Sequence, residues 1–186
     1  MFKRILVALD GSAASNAGLK SAIQLAVDQQ ATLLALHVID NAAVAMNFEG
    51  GYMPSGYVDS LYEGLRERGQ ATLAKAETAA RNAGADVKPL LVETRGQTVA
   101  HAILDQARKA KADLVVLGTH GRRGLSRMLM GSDAEAVVRE ARVPVLLVRS
   151  RERAARKASA ATKREAPATR AGRSVKRAAP PTRATS

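Results

Sequence analysis

The chain has 186 residues, no cysteine and a formal net charge of +12. That length accommodates one domain with a substantial core, and the missing cysteine excludes disulfide frameworks, thiolate nucleophiles and thiolate metal sites. The charge is unevenly placed: residues 1–150 carry 18 basic against 15 acidic side chains, and residues 151–186 carry 11 against 2.

Residues 4–9 form a short apolar run rich in branched side chains, which predicts a buried parallel strand. Only five apolar residues separate Arg4 from Asp10, too few for a signal-peptide core, and no later run reaches the length of a membrane span. Ser12 is the expected N-cap of a first helix, with Leu19, Ile23 and Val27 at helical spacing. Asp10 falls just beyond the carboxyl end of the first strand, the rim where open parallel sheets bind ligands. From the residues alone it is equally a ligand group, a solvated turn residue or a second cap. Residues 32–39 predict the second strand, and His37 within it reads as a satisfied core or edge histidine. Residues 41–57 show no clean periodicity and read either as a flap beside a crevice or as a variable loop packing its own side chains.

Residues 59–82 predict a long helix with Leu61, Leu65 and Leu73 on its apolar side, and Gly84 is placed to end it. Residues 87–93 predict the third strand, at an edge because of Pro89. A helix over 98–110 follows, carrying His101 at a position that packs or faces water. The fourth strand spans 113–117, a helix spans 133–142, and the fifth strand spans 145–148 behind Pro144. Five alternations of strand and helix imply an α/β fold: a parallel sheet with helices on both faces, joined by right-handed crossovers.

Between the fourth strand and its helix lies the most informative stretch. Gly118 and Gly121 are followed, with nine residues between, by Gly131 and then Ser132. A strand, a glycine-punctuated loop and a helix start together form an anion site. Glycines let the backbone approach a ligand closely, and unpaired amides at the helix start point at it. Ser132 adds a hydroxyl donor or caps the helix. Arg122, Arg123 and Arg127 either add charge-assisted contacts or form a solvated basic turn. His120 either leans on a phosphate or faces solvent. The loop lacks the lysine of a P-loop, and the chain has no G-x-S-x-G elbow and no H-E-x-x-H helix. The residues therefore describe a phosphate binder without an evident general base.

With these residues in view, the chain resembles the universal stress protein family in its ATP-binding branch. The resemblance extends over residues 1–149, from Arg4-Ile5-Leu6-Val7-Ala8-Leu9-Asp10-Gly11-Ser12 to Val143-Pro144-Val145-Leu146-Leu147-Val148-Arg149. It implies a cytoplasmic, non-enzymatic stress-response regulator that binds ATP, with Mg²⁺ carried by the nucleotide. It also implies a single open five-stranded sheet in the order 3-2-1-4-5. Asp10, the backbone of Val38, Gly118, His120, Gly121, Arg122, Gly131 and Ser132 would then line one nucleotide site. Homodimerisation through residues 145–148 is implied too, and an exposed apolar edge strand invites such pairing. One departure stands out: Asp133 follows the Gly-Ser pair, where the family often has a small apolar residue. That carboxylate suits a helix N-terminus but opposes a phosphate unless it turns away or helps hold Mg²⁺.

Residues 151–186 lie outside the resemblance. They are Ala, Arg, Lys, Thr, Ser and Pro, with Val175 the only large apolar side chain. Such a composition predicts disorder. It also predicts salt-sensitive attraction to nucleic acid or another polyanion without sequence preference. This gives an alternative reading: a nucleic-acid-associated protein acting through its tail, with the domain as dimeriser or nucleotide sensor.

Overall fold

The computed structural model describes residues 1–41, 55–119 and 130–150. Among the described residues nine elements follow one another: β1 (Arg4–Ala8), α1 (Ala13–Gln29), β2 (Thr32–Ile39), α2 (Ser55–Asn82), β3 (Val87–Glu93), α3 (Val99–Lys109), β4 (Leu114–Gly118), α4 (Ser132–Glu140) and β5 (Val145–Val148). All five strands are parallel, in the order β3-β2-β1-β4-β5.

Alternation along the strands assigns the two faces. Ile5, Val7, Leu33, Ala35, Leu114 and Val116 turn to one side and meet α1 and α2 through Leu19, Ala22, Leu73 and Ala76. Leu6, Leu34, Leu36, Val115 and Leu117 turn to the other and meet α3 and α4 through Ile103, Ala107 and Val137. Both faces of the three central strands are thus covered, which is why these strands read as continuous apolar runs. β3 lies at one edge, as Pro89 requires, and β5 at the other.

Local signals set most boundaries. Ser12 caps α1, its side chain accepting from the Ser15 N–H at 3.1 Å. Thr98 caps α3 in the same way. Gly84 adopts φ +82° just beyond α2, the left-handed conformation that ends a helix at little cost for glycine. Two expectations shift. α2 starts at Ser55 rather than 59, because one glycine at position 56 costs a helix only about 1 kcal/mol and the long helix behind it absorbs that. Ser132 is not a cap: Gly131 holds the N-cap position and Ser132 is the first helical residue.

Glycine has a packing reason at Gly69, inside α2. A Cβ there would lie 2.7 Å from Leu91 Cδ1 and 2.8 Å from the His37 ring. Its absence lets the helix settle directly on β2 and β3.

Candidate functional site

β1 sits at the centre of the sheet, between β2 and β4. Successive strands from β1 to β3 extend one way and then the order reverses to β4, so the switch point, where open parallel sheets bind ligands, falls at the carboxyl ends of β1 and β4. The structure places Asp10 two residues past β1, Val38 near the end of β2, and Gly118 as the last residue of β4. Gly131 and Ser132 stand at the start of α4. All five therefore lie along the carboxyl rim. His120, Gly121 and Arg122 fall outside the described residues, as do Arg123, Arg127 and residues 42–54 of the expected flap.

Hydrogen bonds fix this rim. Asp10 Oδ1 accepts from the Ser12 N–H at 2.9 Å, and Gly11 between them takes φ +79°. That tight turn holds the partly buried Asp10 carboxylate against the start of α1. Across the switch point, the Thr119 N–H donates to the Val148 carbonyl at 3.0 Å. The Gly131 N–H returns to the Thr119 carbonyl at the same distance. The chain therefore leaves β4 and rejoins the rim at the same point. α4 then begins beside β4, with a glycine cap that brings no side-chain acceptor to its first amides.

Gly118 has a role of its own. A Cβ at this position would stand 2.7 Å from the Ala14 carbonyl carbon and 2.7 Å from the Ser15 nitrogen. The first turn of α1 thus rests directly on the end of β4, which brings the Asp10 turn close to the carboxyl end of that strand. Asp133 is exposed in the first turn of α4, with Glu135. Both acids suit the positive end of the helix, and neither is drawn into the core. His101 faces water and bridges α3 to α4, its Nε2 lying 3.2 Å from Glu140 Oε2.

A second group of polar residues gathers at the ends of β2 and β3, where a cleft of about 460 Å³ is lined by Asn41, Asp59, Tyr62, Glu63, Arg66 and Glu93. Arg66 donates to Glu93 Oε1 through Nε at 3.0 Å and a terminal nitrogen at 2.7 Å. Those bonds, then one from Asn41, hold the Glu93 carboxyl below the ordinary carboxylate range, and the same pairing raises Arg66. Because the folded state lowers the Glu93 pKa, its contribution is present above the unfolded value and is lost as pH falls through the folded one. Glu93→Gln should lower the melting temperature slightly near neutrality, and the difference should vanish in acid. A difference that grew on acidification would contradict this pairing. Nothing in the sequence signals the cluster, since Arg66 and Glu93 are 27 residues apart on elements of different type. No described helix is long and apolar enough to cross a membrane, and no described group of acids and histidines is arranged to hold a metal.

An open all-parallel sheet, helices on both faces and a glycine-bounded connection at the switch point place this protein in the doubly wound α/β class. Residues 1–149 match the universal stress protein family, and the chain belongs to that family. Universal stress protein YxiE of Bacillus subtilis is 35% identical over 151 residues, covering 80% of this chain and 100% of that one. A solved member from Burkholderia pseudomallei is 36% identical with a TM-score of 0.61, over 78% of this chain and 95% of that one. A universal stress protein solved in complex with cAMP is 25% identical with a TM-score of 0.57, over 80% and 98% of the two chains.

Proposed function

We propose that this protein is a stress-response regulator that binds an adenine nucleotide, ATP with its Mg²⁺, along the carboxyl rim. One observation carries the reading. The chain returns to β4 through the Gly131–Thr119 bond, which sets the glycine-capped start of α4 on the same carboxyl rim as the Asp10 turn. Amides of that first turn, with Ser132, suit phosphate. Asp10 suits ribose hydroxyls, and the Val38 backbone suits the base. His120, Gly121 and Arg122 would join from the connecting segment. The relative that binds cAMP supports an adenine ligand. The role is binding rather than turnover, since the loop lacks a P-loop lysine and no residue stands out as a general base.

Calorimetric titration of Mg²⁺ and ATP into the nucleotide-free full chain tests this, with Gly131→Val alongside. Micromolar or tighter binding that the variant loses supports the site. No heat from the wild type would sink it.

The two sheet edges differ in a way that favours a homodimer through β5. β3 exposes Lys88 and Pro89, both of which discourage pairing. β5 is Val145-Leu146-Leu147-Val148, half-buried throughout and without a charge. A second activity is favoured by the excess of 11 basic over 2 acidic residues in 151–186. Deleting these residues should abolish salt-sensitive binding to duplex DNA while leaving ATP affinity unchanged. DNA binding that survives the deletion would move that activity to the domain.

A further inference from the structure

The regular pairing of β1 and β2 stops just short of the rim, and a side chain makes the next link. Their pairing runs from Arg4 opposite Thr32 to Ala8 opposite Leu36, and stops there. The Leu9 N–H still donates to the Leu36 carbonyl at 2.8 Å. In a parallel ladder alternate residues turn their peptide groups to the same neighbour. Val38, two residues after Leu36, therefore turns its N–H and carbonyl toward β1. In an unbroken ladder the Val38 N–H would donate to the Leu9 carbonyl.

His37 occupies that carbonyl instead. Its Nδ1 lies 2.7 Å from the Leu9 oxygen, and since a carbonyl only accepts, Nδ1 carries the hydrogen. The ring is 4% exposed and lies against Gly69, where any Cβ would push it away. A side chain thus makes the last link between β1 and β2, and a glycine in α2 leaves room for it.

We infer that His37 is a positioning residue for nucleotide recognition: by taking the Leu9 carbonyl it keeps the Val38 backbone off β1, facing the crevice. This rests on the nucleotide reading above. The same bond fixes Leu9 next to Asp10, so it acts on the nucleoside end of the site. The phosphate end, at Gly131 and Ser132, is built from other elements and does not depend on it.

Two substitutions in the full-length protein separate this role from simple core packing. His37→Phe keeps a ring and removes the donor. His37→Asn keeps an amide hydrogen near the position of Nδ1. Losing one well-placed hydrogen bond's worth of alignment should weaken ATP binding about tenfold in His37→Phe, with inorganic tripolyphosphate bound as before. His37→Asn should recover most of the ATP affinity. Amide hydrogen exchange without ligand gives an independent readout. The Leu9 carbonyl becomes available in His37→Phe, so the Val38 amide should exchange more slowly there than in the wild type or His37→Asn.

Unchanged Val38 exchange in a folded His37→Phe would overturn the inference. So would tripolyphosphate and ATP affinities that fall together. A wild type that binds no ATP would remove the nucleotide reading alone, because the exchange comparison still decides whether His37 holds Val38 away from β1.

Discussion

Gly118→Ala should destabilise the fold by about 2–3 kcal/mol, the usual cost of forcing extra volume into a well-packed contact. For a domain of this size that is a fall in melting temperature of roughly 5–10 °C. The backbone conformation is not the obstacle, since the glycines with positive φ among the described residues are Gly11, Gly84 and Gly96. Space is. A methyl at Gly118 meets main-chain atoms of Ala14 and Ser15 at 2.7 Å and the Ala14 Cβ at 2.9 Å. Main chain in the first turn of a helix cannot swing aside as a side-chain tip can. α1 must therefore lift from β4, carrying with it the cap at Ser12 and the turn at Asp10. Differential scanning calorimetry of the two proteins checks this. A variant as stable as the wild type would mean that α1 and β4 are not in such close contact.

Gly131→Val should behave in the opposite way, losing nucleotide while staying folded. Gly131 has φ −60° and ψ 144°, a conformation open to any residue. Its N–H bond to Thr119 is kept by valine. The structural cost is that of a poorer N-cap, about 1 kcal/mol. The functional cost is larger, because a branched side chain would fill the approach to the first amides of α4. ATP affinity should fall at least a hundredfold, as expected when several charge-assisted hydrogen bonds of about 1.5–3 kcal/mol each are lost together. The measurement is the calorimetric titration, paired with a thermal melt. Undiminished binding by a folded variant would remove phosphate from the start of α4. The two glycines of one motif thus divide: Gly118 serves packing, and Gly131 serves the proposed ligand.

That division could not be read from the sequence, whereas the fold largely could. Short branched runs such as Ile5-Leu6-Val7 and Leu114-Val115-Val116 announce strands buried on both faces. Pro89 announces an edge, and Ser12 and Thr98 announce helix starts. These are local signals, set by propensity and burial within a few residues. The strand order came from family resemblance, because nothing in a strand names its neighbour. The candidate site was legible where it lies on one stretch, as at Gly131 and Ser132. It was hidden where distant segments meet. Gly118 needs its missing side chain because of Ala14 and Ser15. His37 needs Leu9, and Gly69 needs His37. Each dependence is created when the chain crosses itself, so the residue type is visible beforehand and the reason is not.

The paired bonds at Thr119 have a further consequence, for how such a protein can diversify. Thr119 is fastened to Val148 on one side and to Gly131 on the other, so the segment between Thr119 and Gly131 leaves and re-enters the framework through one fixed gate. The entropy of closing such a connection changes only slowly with its length, and both of its ends are held by main-chain bonds that any residue can make. Changes of length between these two anchors should therefore cost the parent scaffold little stability. The gate thus makes this connection the natural place for the domain to accept insertions.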